Sequence, residues 1–201
     1  MFTWLKELKR GYEIVKAIKI VSKKRKEPMA AIAMVWGSVF AECLKFNWGI
    51  RFVTKEVMNG KDGELEINAP DAIFATIPKI CAVLVCLENL EEATKKLSDR
   101  EWACYIVQGI AHEYRHAQQI EYFESVGLDS NYALTFIASN YGYFTSPIEQ
   151  DAIEFTRALT VYSKNGCLKI KSNHILVSKA MKEVAEEIRN KKKIIDCIKR
   201  V

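Results

Sequence analysis

Histidine is scarce in this chain, and so are the features that mark several large classes of protein. The 201 residues include only three histidines, nine glycines and four prolines, so the chain is neither collagen-like nor of low complexity. Its apolar fraction of 49% is too high for an intrinsically disordered chain. The composition therefore predicts a folded protein, and the length suits a single domain with a sizeable core.

Closely spaced cysteines are also absent from the sequence. Disulfide-rich domains and cysteine zinc sites typically contain closely spaced pairs of cysteines, most often in a CxxC motif. Because the six cysteines lie far apart and follow no regular spacing, we expect reduced thiols in a cytoplasmic protein. They are Cys43, Cys81, Cys86, Cys104, Cys167 and Cys197.

Membrane-spanning and secretory segments are not expected. Residues 29–41 are apolar and uncharged, but this stretch is much shorter than the roughly 20 residues that a spanning helix needs, and Glu42 closes it. It predicts a buried core helix instead. Basic residues run through residues 1–28 without an apolar segment, which argues against a secretory signal.

Acidic and basic residues are unevenly distributed along the chain. Basic residues exceed acidic ones by six in residues 1–28 and by seven in residues 164–201, whereas acidic residues exceed basic ones by eight in residues 29–163. The basic ends could contact nucleic acid or an acidic partner. No DNA-binding motif accompanies them, however, and basic helix faces are usually just solvated.

Apolar periodicity predicts helices at both ends and a small sheet between them. Residues 51–58 and 64–67 flank the turn-forming segment NGKDG and predict a β-hairpin or two strands of a small sheet. Residues 73–90 are apolar and fit a strand or a helix equally well. The residues with helical spacing are Trp4, Leu8, Tyr12, Val15 and Ile18 near one end, and Val177, Met181, Val184, Ile188, Ile195 and Ile198 near the other.

Two of the three histidines lie in the sequence His112-Glu113-Tyr114-Arg115-His116, which is an HExxH motif. Residues four apart stack on one face of a helix, so both imidazoles could bind one zinc ion. The glutamate, turned about 100° away, would reach a water on the metal. The motif therefore predicts His112 and His116 as zinc ligands and Glu113 as the general base. The alternative is a pair of structural histidines that flank a glutamate by chance.

The motif lies within a predicted helix. Ser98 and Glu101 form a capping box, so we expect a helix from about Asp99 to about Ser125. The two histidines fall on the side opposite to its apolar stripe, and Gly109, one turn earlier, leaves room for something to approach. The stripe consists of Ala103, Ile106, Val107, Ile110, Tyr114 and Ala117.

A second predicted helix offers the third protein ligand that a catalytic zinc site usually has. Ser146 is its predicted N-cap, and Pro147 lies in its first turn. Glu149 and Asp151 border its buried stripe on opposite flanks, while Glu154 points to solvent. Glu149 is thus placed to reach a metal on the first helix. The stripe consists of Ile148, Ala152, Phe155 and Leu159.

The segments HEYRH at 112–116 and EQDAIEF at 149–155 resemble the gluzincin branch of the HExxH zinc metallopeptidases. In that branch, a glutamate in an ExxA[D/N] pattern on the next helix completes the metal site. The resemblance is closest to the small ImmA/IrrE-like peptidases and to other minimal phage-type peptidases. In this chain Ile153 stands where the pattern has Asp or Asn, so the hydrogen bond made by that residue must come from elsewhere or be missing.

The resemblance implies an α+β fold: a mainly helical, zincin-like domain with a small β-sheet and an HExxH active-site helix. It implies Zn2+ bound by His112, His116 and Glu149, with Glu113 as the catalytic base. We accordingly expect one domain over residues 1–201. Its parts would be N-terminal helices at 1–46, a zincin-like catalytic core at 50–163 and a basic C-terminal helix at 164–201.

Other assignments of the site residues stay open. Asp151 is the second choice for the third ligand and His174 the third choice. Glu149 also fits a capping box with Ser146, which would be a purely structural role. Arg115 either orients an acidic partner or is solvated. Tyr132, Tyr141 and Tyr143 lie between the two helices in the sequence. Each is expected to be either an oxyanion donor or simply an aromatic residue of the core.

The expected function is zinc-dependent hydrolysis of peptide bonds in a protein or peptide substrate, through a zinc-activated water. The alternative is a catalytically inactive, metallopeptidase-like module with a regulatory role or a role in binding nucleic acid or protein. Peptide deformylase, another HExxH enzyme, is a remote option because its upstream cysteine and glycine motifs have no counterpart here.

Overall fold

The computed structural model describes residues 16–40, 47–60, 67, 69–142, 145–160 and 179–198. These residues form a mixed α+β structure that is mainly helical, as expected. The strands are β1 (Gly49–Val53), β2 (Phe74–Ile77) and β3 (Ala82–Cys86). The helices are α1 (16–21), α2 (Pro28–Val35), α3 (Lys55–Met58), α4 (Leu87–Thr94), α5 (Asp99–Ser125), α6 (Ser130–Tyr141), α7 (Pro147–Thr160) and α8 (Lys179–Ile198).

The three strands form one sheet in the order β1-β3-β2. β3 pairs with β1 in parallel and with β2 in antiparallel orientation. All five residues of β3 are buried, which explains why residues 73–90 show no clear alternation: a central strand covered on both faces is apolar throughout. Val83 and Val85 face the helices of the main core, whereas Leu84 and Cys86 pack on the other face against Met58.

The predicted β-hairpin is wrong over its first segment. The strand ends at Val53, and Lys55–Met58 form the short helix α3. The partner of β1 among the described strands is β3, with Ile50 opposite Val83. Of the second predicted strand, residues 64–66 lie outside the described residues. The hairpin prediction rested on local turn residues, and the pairing of β1 with β3 is non-local.

The apolar stretch near the N-terminus is helical, but only one face is buried: Ala31, Ile32 and Val35 are in the core, whereas Met29 is 50% exposed, so the predicted buried helix is confirmed in part. It comprises α2 and a π-helical turn at Trp36–Phe40. Trp36 is buried, and its indole N–H donates to the backbone oxygen of Trp48 at 3.2 Å. Among the described helices, none is long and apolar enough to cross a membrane. The predicted apolar positions before residue 16 lie outside the described residues.

The longest helix, α5, runs through the main core and carries the HExxH motif. The predicted capping box is present: Glu101 accepts from the backbone N–H of Ser98, and the Ser98 hydroxyl oxygen accepts from the backbone N–H of Glu101. Every residue of the predicted apolar stripe is buried. Tyr114, within the motif, has no exposed surface and packs its ring against Phe40 and Phe155.

Gly109 allows β2 to lie directly against α5. A Cβ atom at this position would come within 2.3 Å of the Phe74 ring on β2. The space that the sequence predicted beside Gly109 is therefore occupied by this ring. The close approach brings β2 alongside the motif one turn later on α5.

A second cluster of apolar side chains joins the C-terminal part of α5 to α6, α7 and α8. Of the predicted C-terminal stripe, Met181, Val184 and Ile188 are buried in this cluster. Val177 lies outside the described residues. Arg189 on α8 also donates to the backbone oxygen of Val126, just after α5.

Helix α7 packs along α5, so this arrangement presents the start of α7 to the motif. The division of the chain into three segments stays a prediction.

Candidate metal centre

The two motif histidines project from α5 towards the beginning of α7. His112 keeps 23% of its side chain exposed and His116 keeps 13%. Their ring centroids are 4.6 Å apart, with the ring planes nearly perpendicular. The Nε2 atoms of the two rings are 3.0 Å apart, so both nitrogens face the same point.

Glu149, the third residue of α7, supplies a carboxylate at that point. One of its oxygens lies 3.2 Å from Nε2 of His112, and the other lies 3.3 Å from Nε2 of His116. The backbone N–H of Glu149 donates to Ser146 Oγ at 3.4 Å, so the predicted N-cap is present. Both carboxylate oxygens face the histidines, which makes Glu149 more than a capping residue.

The distances between these atoms suit a small metal ion. In a tetrahedral zinc site with bonds of about 2.0–2.1 Å, neighbouring ligand atoms are about 3.3 Å apart. The two imidazole nitrogens are 3.0 Å apart, each lies 3.2–3.3 Å from a different oxygen of Glu149, and one possible ligand atom from each residue lies within 4.8 Å of the others. The group His112, His116 and Glu149 could therefore hold a metal ion.

The charges of the metal-free site stabilise one another. Burial lowers the pKa of His116, but its hydrogen bond to Glu149 and the negative charges of Glu113 and Glu149 outweigh burial and raise this pKa to about 9. Burial raises the pKa of Glu149, but hydrogen bonds from His112 and His116 lower it to about 2. Without a metal, a proton on His116 thus occupies the place of a cation, and a metal ion would displace it.

Glu113, the predicted general base, is held beside the site by β2. The hydroxyl of Thr76 donates to its carboxylate at 2.6 Å, and Glu113 is only 8% exposed. Glu113 and His116 line the same cleft, and the negative charge of Glu113 helps to raise the pKa of His116. The sequence did not indicate Thr76, because no local signal predicts that β2 lies against α5 with this side chain facing the motif.

Asp151, the second choice for the third ligand, is engaged elsewhere. Its two oxygens accept from Nε and Nη2 of Arg115 at 2.7 and 3.1 Å, and the pair is buried. Of the two roles considered for Arg115, orienting an acidic partner is therefore the one that the structure supports. Glu154 is exposed on α7, as predicted. The third choice, His174, lies outside the described residues.

Two of the three tyrosines considered as oxyanion donors, Tyr132 and Tyr141, lie in the part of the chain that the structure describes. Tyr132 is 39% exposed at the start of α6. The hydroxyl of Tyr141 donates to the carboxylate of Glu187 on α8. Tyr143 lies outside the described residues. The predicted oxyanion role is therefore not supported for Tyr141, whose hydroxyl has another partner.

A cleft of about 370 Å3 adjoins the site. Glu113, His116 and Glu149 line its polar end, together with Thr76 and Gln119. The rest of its wall is apolar and comes from β2, the segment before it, α5, α6 and α7. These apolar residues are Ile67, Ala69, Ala72, Phe74, Ala75, Ile77, Ile120, Leu134 and Ile148.

No protein family, curated protein or solved structure matches this chain. The assignment of the site therefore depends on its geometry and on the chemistry of its side chains.

Proposed function

We propose that this protein is a zinc-dependent metallopeptidase of the gluzincin type, with a zincin-like core and with His112, His116 and Glu149 as the zinc ligands. The observation that carries the proposal is the convergence of these three side chains, whose possible ligand atoms all lie within 4.8 Å of one another, beside the glutamate of the same motif. Two imidazoles and one carboxylate are a common donor set of catalytic zinc, and they leave a position for water.

The role that we propose for Glu113 is that of the general base. With zinc held by His112, His116 and Glu149, the metal would supply an activated water and would polarise the substrate carbonyl group. Glu113 would take a proton from that water and would then deliver it to the leaving amine. The hydrogen bond from Thr76 at 2.6 Å holds the Glu113 carboxylate at the polar end of the cleft, where the reacting carbonyl would lie.

A peptide substrate suits the cleft better than a small polar molecule does. The wall away from the site is apolar, so it can accept a side chain next to the bond that is cleaved. The cleft also runs along β2, which has a strand partner on one side only among the described strands. An extended peptide can add to such an edge through main-chain hydrogen bonds.

Hydrolysis of a fluorogenic peptide library by the zinc-loaded protein tests the proposal. We expect wild-type protein to cleave peptides and Glu113→Gln to lose at least about 100-fold in kcat, because the water loses its base. Glu113→Gln should still bind zinc, since Glu113 is not a ligand. Glu154→Gln, an exposed glutamate on α7, is the matched control and should keep full activity.

Two outcomes would contradict the proposal. The first is a zinc-loaded wild-type protein that cleaves no member of the library. The second is unchanged activity in Glu113→Gln, which would move the catalytic base to another residue.

A further inference from the structure

Behind His116, a chain of buried polar side chains leads away from the candidate metal site. The Nδ1 atom of His116, on the far side of the ring from Glu149, lies 2.8 Å from the side-chain oxygen of Gln119. Gln119 lies three residues later on α5 and is only 2% exposed. A buried amide in this position can decide which ring nitrogen carries a proton.

The orientation of the Gln119 amide follows from its other partners. Its Nε2 atom lies 2.6 Å from a carboxylate oxygen of Asp151 and 3.0 Å from the backbone oxygen of Ile148. Both of those oxygens accept hydrogen bonds, so the amide must direct its NH2 group at them. The amide oxygen then faces His116 and can only accept. Nδ1 of His116 must therefore donate, and it carries a proton.

Asp151 is in turn fixed by Arg115. The guanidinium donates through Nε at 2.7 Å and through Nη2 at 3.1 Å, and the Arg115 and Asp151 side chains are only 2% and 6% exposed. A bidentate arginine pair fixes both the position and the plane of a carboxylate. The pair also joins α5 to α7, the two helices that bring His116 and Glu149 together.

We propose that Gln119 is a positioning residue that, anchored by the buried Arg115–Asp151 pair, holds His116 in the Nδ1–H form and directs its bare Nε2 at the metal. This inference rests on the proposed metal site. The hydrogen bond to this ligand histidine comes from the motif helix itself, and its acidic anchor is Asp151 on α7.

Zinc affinity in a set of four variants tests the role of Gln119. Gln119→Leu should weaken zinc binding by about 10- to 100-fold, the usual effect of losing a hydrogen-bond partner of a metal ligand. The matched control is Gln118→Leu, because Gln118 contacts Arg115 and Tyr114 but no histidine. Its affinity should stay within about threefold of wild type.

An isosteric substitution separates positioning from simple packing. Gln119→Met keeps about the same length and volume but offers His116 Nδ1 no amide oxygen, so its zinc affinity should be as low as that of Gln119→Leu. Gln118→Met is its control and should bind zinc as wild type does. Near-wild-type affinity in a Gln119→Met protein that is folded by circular dichroism would show that the side chain only fills space, and it would overturn the proposal.

The protonated nitrogen can be observed directly in metal-free protein. In wild type the Glu149 carboxylate, 3.3 Å from Nε2, competes with Gln119 for the ring proton, so the spectrum is taken on Glu149→Ala. Once the ring is neutral at high pH, long-range 1H–15N spectra of Glu149→Ala should show His116 in the Nδ1–H form, and adding Gln119→Leu should shift it to the more common Nε2–H form. His116 in the Nε2–H form in Glu149→Ala would overturn the inference. A wild-type protein that binds no zinc would instead contradict the proposed function, while the spectrum still decides the form of His116.

Discussion

Helices α5 and α7 make two polar contacts that use similar side chains for different purposes. The open contact consists of His112, His116 and Glu149, which keep 13–23% of their side chains exposed. The buried contact consists of Arg115, Gln119 and Asp151, and these side chains are only 2–6% exposed. Each contact sets a carboxylate from α7 against nitrogen atoms from α5.

The source of the positive charge distinguishes the two contacts. In the buried contact the cation is a guanidinium, a permanently charged group, and two of its nitrogens donate to Asp151. In the open contact the positive charge is an exchangeable proton on an imidazole, so a metal ion can replace it. Both contacts contain a carboxylate beside basic nitrogens, so this feature does not distinguish them. Partly exposed side chains and a proton that a metal ion can replace do distinguish the proposed metal site from the buried ion pair.

Replacing the acidic residue of each contact by alanine should give the largest difference in unfolding free energy between the two contacts. Asp151→Ala leaves Arg115 buried without its carboxylate, and we expect the metal-free protein to lose about 3–5 kcal/mol of unfolding free energy. Glu149→Ala should cost at least about 2 kcal/mol less, because His116 can release its proton whereas Arg115 cannot. Urea denaturation of both variants in the presence of a chelator measures the two losses.

The control for this experiment replaces both members of the buried contact. Arg115→Met combined with Asp151→Leu removes the charge and the carboxylate together, and it should recover much of the stability lost in Asp151→Ala. Equal destabilisation by Asp151→Ala and Glu149→Ala would show that the open contact is also structural. The two contacts would then not differ in purpose.

A smaller effect is the pH dependence of the open contact without metal. The pKa of His116 is raised from 6.5 to about 9, so the stability that it contributes is complete below about pH 6.5 and is lost as the pH rises towards 9. The pKa of Glu149 is lowered from 4.5 to about 2, so the same ion pair is lost as the pH falls from 4.5 towards 2. Chelator-treated protein should therefore be most stabilised by this pair between about pH 5 and 6.5.

His116→Gln provides the comparison for that pH profile. The variant cannot form the ion pair, so its stability should fall less steeply than that of wild type between pH 6.5 and 9. If the two profiles run parallel across this interval, the raised pKa of His116 is wrong.

The sequence predicted those parts of the site that depend on local spacing. The capping box at Ser98 and the apolar stripe of α5 predicted the helix, and the spacing of His112 and His116 predicted that their rings converge. These features depend on helical periodicity alone, so no tertiary information was needed.

Features that depend on how elements pack were not predictable in the same way. The choice between Glu149 and Asp151 depends on the rotation of α7 against α5, and the sequence placed both at the edge of the buried stripe. Thr76 reaches Glu113 only because Phe74 packs on Gly109, two residues that lie far apart in the chain. The β-hairpin failed for the same reason, since the non-local pairing of β1 with β3 determines the sheet.

Equilibrium zinc binding to wild type, Glu149→Ala and Glu154→Ala tests the central claim most directly. Both substitutions remove a glutamate from α7, but only Glu149 faces the histidines, and Glu154 is exposed. We predict one zinc ion per chain in wild type and in Glu154→Ala, with an affinity at least about 100-fold lower in Glu149→Ala. Zinc binding that is absent from wild type, or equally tight in Glu149→Ala, would contradict the account.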